Sequence, residues 1–386
     1  MKIVVAPDSF KDAMRASEAS QHIAVGLRSI RSNAEIDQLP VSDGGEGFTN
    51  AIISRHPAAI EYVTKTTSPL GKRIEAAWYM LHDDDGQAAT TAVIELATAS
   101  GLELVKPAKR DPTKTHTYGT GWLMREAIQA GATQILLGIG GSATNDAAMG
   151  IAFALQVLFY DTCGQLFNKT GMPGKYLSQV GTIDTSSCLL NEAAHKSVQI
   201  KVACDVDNPL AGPNGAAHVY APQKGATPEQ VEQLDAGLRH IARLWREQLG
   251  VDVEHLPGAG AAGGVGGGLV AMLGAELVPG AELVLDTIHF DERIKDADLI
   301  ITGEGRLDAQ SLSGKAVMAV AKRAKAAGVP CVALVGSVGE GAERMLDHGL
   351  SDIIVIGEGL DPAESIRRTG ELLEQAAARL ARERLN

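Results

Sequence analysis

The stretch Asp298-Leu-Ile-Ile-Thr-Gly-Glu-Gly-Arg-Leu-Asp-Ala-Gln-Ser-Leu-Ser-Gly-Lys315 decides the fold class of this chain. Its apolar start is typical of a buried parallel strand, and the residues that follow, Ala316-Val-Met-Ala-Val-Ala321, have helical periodicity. The glycine-rich segment between them is predicted to be a turn at the carboxyl end of the strand, where open α/β sheets bind ligands. Four charged side chains of this segment suit a phosphate and its metal ion: Glu304, Arg306, Asp308 and Lys315.

Strands and helices alternate on both sides of a central region with a different pattern. Further apolar strands at 2–6, 36–39, 329–335 and 353–356 are separated by helical segments, as in a doubly wound parallel sheet. In the central region, 61–67 and 74–82 look like antiparallel neighbours, and 228–249 has the pattern of an amphipathic helix. We therefore predict an α/β protein with a discontinuous first domain, 1–61 and 289–386, and an inserted α/β domain, 62–288.

Composition and charge disfavour several classes of partner. The chain carries 47 acidic and 35 basic side chains, a formal net charge of -12, and 4% aromatic residues. This balance disfavours a nucleic-acid or an anionic-membrane partner. No apolar run reaches the roughly 20 residues that cross a bilayer, and no signal peptide precedes the first strand. The cysteines form no CxxC pair, so we expect a soluble cytoplasmic protein with reduced thiols.

Two glycine-containing or polar loops follow the first two predicted strands. Pro7-Asp-Ser-Phe-Lys11 follows the first, and Val41-Ser-Asp-Gly-Gly-Glu-Gly47 follows the second. Each could be a turn with a capping side chain, or it could bind an anion, a hydroxyl or a metal ion. Their candidate substrate ligands are Asp8, Ser9, Lys11, Asp43, Gly44, Gly45 and Glu46.

A third loop, Gly138-Ile-Gly-Gly-Ser-Ala-Thr-Asn-Asp146, lies between a predicted strand and a predicted helix at 147–156. Free N–H groups at such a helix start could hold a phosphate. The loop also satisfies the dinucleotide fingerprint G-x-G-x-x-A, with Asp161 near the position of a ribose acid, so a dinucleotide-dependent oxidoreductase stays open as an alternative. The candidate nucleotide ligands in this loop are Gly140, Gly141, Ser142, Asn145 and Asp146.

A fourth loop, Cys204-Asp-Val-Asp-Asn-Pro-Leu210, carries two carboxylates and is followed by Lys224 in a further loop. If Asp205 and Asp207 alternate as strand residues do, they point the same way and could share a metal ion or a proton. The glycine and the distal glutamate of a calcium loop are missing. Segment 258–268 has no charged side chain, so it is either a closely packed start of a helix or a backbone phosphate loop.

Seven blocks in this order, over essentially the whole chain, carry a resemblance: Lys2-Ile-Val-Val-Ala-Pro-Asp-Ser-Phe-Lys11, Ser42-Asp-Gly-Gly-Glu-Gly47, Gly140-Gly-Ser-Ala-Thr-Asn-Asp146, Cys204-Asp-Val-Asp-Asn-Pro-Leu210, Pro222-Gln-Lys-Gly-Ala226, Gly258-Ala-Gly-Ala-Ala-Gly-Gly264 and Thr302-Gly-Glu-Gly-Arg306 with Gly314-Lys315. Together they resemble the bacterial type 1 glycerate kinases. The resemblance implies ATP- and Mg²⁺-dependent phosphorylation of D-glycerate, with 2-phosphoglycerate as the usual product. It also implies a flavodoxin-like domain into which a second α/β domain is inserted.

The chain departs from the family pattern at several positions. Asp12-Ala-Met follows Lys11 where Gly-Ser-Leu is common, and Ala147-Ala148 replaces the usual Gly pair after Asn-Asp. Phe48 stands where a Thr is usual, and Ala309 where a Gly is frequent. None of these changes removes a charged group, so they bear on loop shape and substrate preference rather than on activity.

Phosphoryl transfer needs a hydroxyl aligned with the γ-phosphate and neutralisation of the charge that develops. The groups expected to hold the carboxylate of glycerate are Lys11, Arg306 and Lys224. The proton of the 2-hydroxyl would pass to Asp205 or, as second choice, to Asp308. Mg²⁺ would bind the phosphates and one or two of Glu304, Asp207 and Asp43, while Lys315 and Gly303 would contact the nucleotide.

Other functions stay open at this point. Phosphorylation of the 3-hydroxyl would give 3-phosphoglycerate, and a non-catalytic small-anion-binding protein would keep the fold without turnover. We expect a monomer or a homodimer. We also expect the site to lie in the cleft between the two domains and to close during the catalytic cycle.

Overall fold

The structure of the protein, a computed structural model, describes residues 1–45, 47–82, 90–167, 171–312 and 315–385. Contacts divide the chain into two compact units, which we call unit 1 (1–57 and 279–386) and unit 2 (58–278). The domain division predicted at 61/62 and 288/289 stays a prediction, and the compact units divide at other residues. Of the helices described, none is long and apolar enough to cross a membrane.

In chain order the strands are β1 (Lys2–Pro7), β2 (Glu35–Gln38), β3 (Ile60–Thr67), β4 (Arg73–Leu81), β5 (Thr91–Glu95), β6 (Gln134–Gly138), β7 (Leu158–Asp161), β8 (Val180–Asp184), β9 (Gln199–Ala203), β10 (Glu276–Val278), β11 (Leu299–Leu307), β12 (Cys331–Val338) and β13 (Asp352–Val355). The α-helices are α1 (Ala16–Ile30), α2 (Phe48–Ile53), α3 (Ala97–Ser100), α4 (Tyr118–Gln129), α5 (Met149–Ala154), α6 (Ala216–Tyr220), α7 (Pro228–Leu244), α8 (Ala261–Leu273), α9 (Gly280–Thr287), α10 (Phe290–Ile294), α11 (Ala316–Ala327), α12 (Pro362–Arg367) and α13 (Thr369–Arg384).

Unit 1 contains a parallel five-stranded sheet in the order β2-β1-β11-β12-β13. This is the flavodoxin strand order, which confirms the predicted fold class. The apolar run of β1 is completely buried at Ile3, Val4 and Val5, as expected of a strand covered on both faces. The strand order reverses between β1 and β11, so ligands are expected beyond the carboxyl ends of these two strands.

Helices cover both faces of this sheet. On one face, Ile23 and Leu27 of α1 pack with Leu373 and Ala377 of α13 in one core cluster. On the other face, α9 and α11 contribute apolar side chains that include Leu285 and Val320. Because α9 and α10 complete this second cluster, they belong to unit 1 although they precede β11.

Strand β11 is longer than predicted, and the prediction of a turn directly after Thr302 is wrong. The strand continues to Leu307, which pairs with Val338 of β12. The backbone groups of the glycine-rich segment find partners in β12, which outweighs the low strand preference of glycine. Gly303 is required by this packing, since a Cβ there would overlap the carbonyl oxygen of Leu334.

Unit 2 is built around a six-stranded sheet in the order β10-β9-β6-β5-β4-β3. Strands β10, β9, β6 and β5 are parallel, whereas β3 and β4 are antiparallel, which confirms the hairpin predicted for 61–67 and 74–82. Gly138 at the end of β6 pairs with Ala203 at the end of β9. The loops that follow these strands therefore leave the sheet at the same edge.

Three elements begin or end at other residues than the sequence predicted. Helix α5 begins at Met149 rather than at 147, because Ala147 and Ala148 have the left-handed φ values 52° and 58°. Strand β9 ends at Ala203, so the alternation expected at Asp205 and Asp207 is wrong. The predicted helix 228–249 is α7, with a Thr227 and Gln230 capping box at its start, followed by a π-helical turn, Trp245–Leu249.

Candidate active site

Asp8 and Glu304 lie at the strand-order reversal of unit 1. Asp8 directly follows β1, and Glu304 lies on the neighbouring β11, where Pro7 pairs with Gly303. The backbone N–H of Asp8 donates to the Gly303 carbonyl at 2.8 Å. One carboxylate oxygen of Asp8, Oδ1, accepts from the Ser9 N–H at 2.6 Å. The sheet thus holds two acidic side chains close together at the position where α/β folds bind ligands.

The carboxyl of Asp8 favours its protonated form. Its residue is 9% exposed, and burial is the largest cause that raises its pKa to about 8. The negative charges of Asp43 and Glu304 raise the pKa further, while the hydrogen bonds from Ser9 lower it. A cation or a hydrogen-bond donor that binds here would therefore bring Asp8 back to its charged form.

Glu304 is in a similar position, with one cation beside it. The residue is 8% exposed, and burial, the largest cause, raises its pKa. A hydrogen bond from Ser311 and the charge of Lys315 oppose this, and the charges of Asp308 and Asp43 add to it. Lys315 Nζ lies 3.8 Å from Glu304 Oε2. Glu304 Oε1 is buried and has no hydrogen-bond partner among the described residues.

These carboxylates fit a hard divalent cation such as Mg²⁺. The charge of Asp43 raises the pKa of both Asp8 and Glu304, and the charge of Glu304 raises that of Asp8; a bound cation would relieve both effects. Within the described ranges, no group of three or more His, Cys, Asp or Glu could hold a metal ion. Mg²⁺ is typically held by one or two carboxylates together with substrate phosphates and water, so a partial protein ligand set is sufficient.

Two charged residues of β11 and of the turn after it are paired at the surface. Arg306 is exposed, and its Nε lies 3.2 Å from Asp308 Oδ2. The Asp308 backbone N–H donates to Ser311 Oγ at 3.3 Å, and the Ser311 N–H donates to the Asp308 carbonyl at 2.9 Å. Lys11 is also exposed in the turn after β1. Arg306 and Lys11 are therefore cations that a dissolved anion can reach.

The loop after β2 forms a turn around Asp43. Asp43 Oδ1 accepts from the Gly45 N–H at 3.1 Å, and Gly44 has a φ of 87°, which favours glycine. The hydroxyl of Ser42 is buried and has no partner among the described residues. The predicted ligand Glu46 lies outside the described residues.

In unit 2, Lys224 holds the loop after β6. Lys224 ends a 3₁₀ turn, Pro222–Lys224, and is 3% exposed. Its Nζ donates to Ser142 Oγ and to the Thr144 carbonyl, both at 2.7 Å. Burial is the largest cause that lowers its pKa to about 7, and the charge of Asp146 opposes this. Two of its three donors are thus used within the protein, where the sequence suggested a contact with the substrate carboxylate.

Asp146 organises the start of two helices. Its Oδ2 accepts from the Thr117 N–H at 2.7 Å, from Thr117 Oγ1 at 2.8 Å and from the Gly150 N–H at 3.3 Å. Burial raises its pKa to about 6 although these hydrogen bonds lower it. Thr117 Oγ1 in turn accepts from the Ile151 N–H at 3.0 Å. The carboxylate therefore joins α4 and α5 inside unit 2.

Asn145 and the glycine-rich segment 258–268 pack against each other. Asn145 is fully buried, and neither of its amide atoms has a partner among the described residues. A Cβ on Gly263 would overlap the Thr144 carbonyl and the Asn145 backbone. Gly263 has a φ of 78° inside α8. Segment 258–268 is therefore closely packed, which is one of the two roles predicted for it.

Asp205 and Asp207 lie in the loop after β9. Asp205 is half-buried and Asp207 is exposed. Both raise the pKa of the neighbouring Cys204 thiol, although burial is the larger cause. Because Ala203 pairs with Gly138, this loop leaves the sheet beside Gly140 and Gly141, which are at least partly exposed.

The structure thus brings the predicted residues together in two groups, one in each unit. Unit 1 groups Asp8, Asp43, Glu304 and Lys315, and unit 2 groups Ser142, Asp146 and Lys224. Sequence reasoning missed Thr117 and Ser311. Ser311 follows Asp308 by three residues, which is a turn signal, whereas Thr117 is 29 residues from Asp146 and gave no local signal.

Asp161, the acid of the dinucleotide fingerprint, accepts hydrogen bonds from backbone groups of the turn that follows it. Its Oδ1 accepts from the Cys163 N–H at 2.8 Å and from the Gln165 N–H at 2.9 Å. It closes the turn after β7, which is paired with β8 and not with the sheet that contains β6. The strand arrangement expected of a dinucleotide-binding βαβ unit is therefore not the one that surrounds Asp161.

Comparisons with known proteins agree with the predicted resemblance. The sequence profile of the glycerate kinase family matches residues 3–384. The glycerate kinase of Halalkalibacterium halodurans is 45% identical over 98% of this chain and 97% of its own length. The glycerate 2-kinase of Escherichia coli is 43% identical over 92% of this chain and 90% of its own.

A solved structure is also similar over nearly the whole length. The crystal structure of a protein described as a glycerate kinase 2 from Salmonella typhimurium LT2 has a TM-score of 0.84 and 40% identity. The similarity covers 99% of this chain and 97% of that one. Sequence profile, relatives and fold all agree, so the chain belongs to the glycerate kinase family, a family of kinase enzymes.

Proposed function

We propose that the protein transfers the γ-phosphoryl group of ATP to the 2-hydroxyl of D-glycerate, giving 2-phosphoglycerate and ADP. The E. coli relative is named a glycerate 2-kinase, which supports the 2-hydroxyl as the acceptor. The observation that carries the proposal is the group of Asp8, Glu304 and Lys315 at the strand-order reversal of the flavodoxin-like sheet. Buried carboxylates beside a lysine are suited to a phosphate and its cation.

Unit 1 supplies most of the groups proposed to bind glycerate. Lys11 and Arg306 are exposed cations near the ends of β1 and β11, and they would hold the substrate carboxylate. The loops at 8–9 and 43–45 would orient the hydroxyl groups through Asp8, Asp43 and backbone N–H donors. Because Lys224 is buried on Ser142 and Thr144, we assign it to the shape of the loop in unit 2 rather than to a strong substrate contact.

The loop after β6 is proposed to bind the nucleotide. Gly140 and Gly141 are at least partly exposed, so their backbone N–H groups are the accessible part of the loop. Ser142, Asn145 and Asp146 are buried and would fix the loop's conformation. Gly303, at the end of the apolar part of β11, is the nucleotide contact proposed in unit 1, and Lys315 would contact a phosphate.

The chemical step is an in-line displacement at the γ-phosphorus. A bond forms between the glycerate hydroxyl oxygen and the γ-phosphorus, the bond to the bridging oxygen breaks, and ADP leaves. The hydroxyl proton passes to a carboxylate, for which Asp205 is our first choice and Asp308 our second. Arg306 and Lys315 are proposed to balance negative charge on the transferred group, since fixed cations stabilise such transition states.

Glu304 and Asp207 are the proposed protein ligands for Mg²⁺. When bound, the ion neutralises phosphate charge and orients the phosphate oxygens. Glu304 offers the buried oxygen Oε1, and its pKa is raised mainly by burial and further by the charges of Asp308 and Asp43. Asp207 is exposed and is therefore accessible to an ion that arrives with the nucleotide.

A coupled assay of ADP release with D-glycerate, ATP and Mg²⁺ tests the activity. We expect glycerate-dependent ADP release, and its absence with a folded protein would overturn the proposal. Phosphorus NMR of the product then distinguishes the two hydroxyls. A resonance and coupling pattern of 3-phosphoglycerate would overturn the assignment of the 2-hydroxyl while leaving the kinase activity in place.

A further inference from the structure

Strand β3 is the outermost described strand of the six-stranded sheet in unit 2. It pairs on one side with β4 over its full length, from Ile60 opposite Met80 to Thr67 opposite Arg73. Among the described strands, none pairs with its other edge. Val63, in the middle of the strand, is 62% exposed. A regular edge strand with backbone donors and acceptors facing outward is a template for pairing with another strand.

The exposed face of β3 has an apolar centre between two opposite charges. Glu61, Val63 and Lys65 share this face because side chains alternate along a strand. In the register with β4, Val63 lies opposite Ala77 and Lys65 lies opposite Glu75. Tyr79, opposite Glu61, donates its hydroxyl to Glu61 Oε1 at 2.7 Å.

We propose that β3 pairs with β3 of a second copy of this chain, antiparallel and with the two-fold axis at Val63. In this register Glu61 lies opposite the partner's Lys65, and Lys65 opposite the partner's Glu61. Val63 lies opposite the partner's Val63, flanked on each side by Ala77. Opposite charges and apolar side chains that face each other across antiparallel strands stabilise the pair.

Other symmetric registers are less favourable. A two-fold axis perpendicular to the sheet keeps each side chain on its own face, so it must pass midway between one residue of β3 and the same residue of the second strand. An axis at Glu61 or at Lys65 places two like charges directly opposite each other, which is destabilising. An axis at Tyr62 places Glu61 opposite Val63, and an axis at Thr64 places Lys65 opposite Val63. Of these registers, only the one centred on Val63 places both Glu61 and Lys65 opposite a side chain of opposite charge.

The other face of β3 is already rigid. The ring of Tyr62 stacks on Trp78 with centroids 4.4 Å apart and planes inclined by 10°. Trp78 Nε1 donates to Thr64 Oγ1 at 3.0 Å, and Trp78 is buried. These contacts hold the edge strand in a regular conformation before a partner binds, which lowers the entropy cost of pairing.

The charge pattern favours a second copy over an unrelated partner. Natural edge strands often carry charges that prevent pairing, and Lys65 alone would act in this way. With Glu61 at the same distance on the other side of Val63, the two charges instead become complementary in a two-fold antiparallel arrangement. An unrelated strand would need the same spacing of charges, whereas a second copy has it by symmetry.

Sedimentation equilibrium of the full chain tests the proposal. We expect the wild type to have twice the mass of the 40.4 kDa chain. Lys65→Glu places two carboxylates opposite each other at both ends of the interface, so we expect a weaker dimer, with a Kd raised at least ~10-fold. The double variant Glu61→Lys with Lys65→Glu restores opposite charges and should restore the dimer.

Each outcome decides the proposal. A monomeric wild type at tens of micromolar, or a Lys65→Glu variant that dimerises as well as the wild type, overturns it. Failure of the double variant to restore the dimer overturns the register. Lys106→Glu reverses another exposed lysine of unit 2 and should leave the mass unchanged. Far-UV circular dichroism and ADP-release activity, which we expect to be unchanged, show that each variant is folded.

Discussion

Lys224 Nζ donates to Ser142 Oγ at 2.7 Å, and this contact joins two parts of unit 2 that are 82 residues apart. The same ammonium group donates to the Thr144 carbonyl, so it fixes the loop after β6 at two points. Both acceptors are buried with it. The lysine thus acts on the proposed nucleotide loop from inside the protein.

Lys224→Met should impair both stability and activity. The change removes the donor for Ser142 Oγ and for the Thr144 carbonyl, and each buried polar group left without a partner costs about 1–3 kcal/mol. The methionine side chain keeps much of the volume. We expect the urea midpoint to fall and the KM for ATP to rise at least ~10-fold, because the loop loses its two fixed points.

Lys196→Met is the matched control, since Lys196 is an exposed lysine of the same unit. Its stability and its KM for ATP should equal those of the wild type. If Lys224→Met kept the wild-type KM for ATP while its urea midpoint fell, the lysine would be structural and not a determinant of the nucleotide loop.

The strands of unit 1 could be located from local pattern alone, whereas their flavodoxin-like arrangement was implied by the family resemblance. Short apolar runs such as 2–6 and 353–356 can be recognised without tertiary information, because a strand covered on both faces needs continuous apolar residues. The polar residues at the strand ends, including Asp8 and Glu304, were likewise visible in sequence. The raised pKa of Asp8 was not visible, because it depends on burial and on neighbours from other strands.

Backbone conformation explains two departures from the family pattern that sequence could only note. Asp12 replaces a common glycine and has a φ of 64°. Ala147 and Ala148 replace a glycine pair and have φ values of 52° and 58°. Glycine adopts this left-handed region without the steric cost that a Cβ brings. The family's glycines therefore fit a turn that this chain keeps with other residues.

The longer β11 and the shorter β9 were missed for a common reason. Glycine has low strand preference, but in β11 the pairing with β12 decides where the strand ends. After β9, the alternation of Asp205 and Asp207 imitated a strand although no neighbouring strand pairs with them in the described sheet. Strand ends depend on partners that are remote in sequence.

Asp8→Asn should change how stability depends on pH. The folded pKa of Asp8, about 8, is above its ordinary value of 3.8. The folded state therefore binds more protons than the unfolded chain between these values, so the free energy of unfolding falls as pH rises through this window. Asparagine does not titrate, and we expect the variant to lose about 1–3 kcal/mol less stability than the wild type between pH 6 and pH 9.

Urea unfolding at both pH values measures this difference. Glu304 also has a raised pKa, but it remains in both proteins and so contributes to the pH dependence of both. Asp296→Asn, at an exposed carboxylate of unit 1, should follow the wild-type pH dependence. Equal losses of stability in the wild type and in Asp8→Asn would show that the carboxyl is ionised in the folded protein at pH 6.

Glu304→Gln should weaken the response to Mg²⁺. The change removes a negative charge from a site whose buried oxygen Oε1 has no hydrogen-bond partner in the described part of the chain, and it keeps the side-chain volume. We expect the Mg²⁺ concentration for half-maximal activity to rise about 10–100-fold. The increase in Tm that Mg²⁺ with a non-hydrolysable ATP analogue produces should shrink, because stabilisation by a ligand follows its affinity.

Glu340→Gln serves as the control, since Glu340 is an exposed glutamate of the same unit. It should keep the wild-type Mg²⁺ dependence in both measurements. A Glu304→Gln variant with an unchanged Mg²⁺ midpoint and an unchanged Tm increase would remove Glu304 from the proposed metal ligands.

Asp205→Asn and Asp308→Asn together identify the proton acceptor. Asparagine keeps the shape of either side chain but cannot take the hydroxyl proton, so the variant that lacks the base should lose about 10²–10⁴-fold in kcat. A change that leaves the KM for glycerate nearly constant indicates a loss in the transition state rather than in ground-state binding. We expect this pattern for Asp205→Asn. For Asp308→Asn, loss of the contact with Arg306 should mainly raise the KM for glycerate. Steady-state ADP release over a range of glycerate concentrations separates the two effects, and the opposite distribution would assign the base to Asp308.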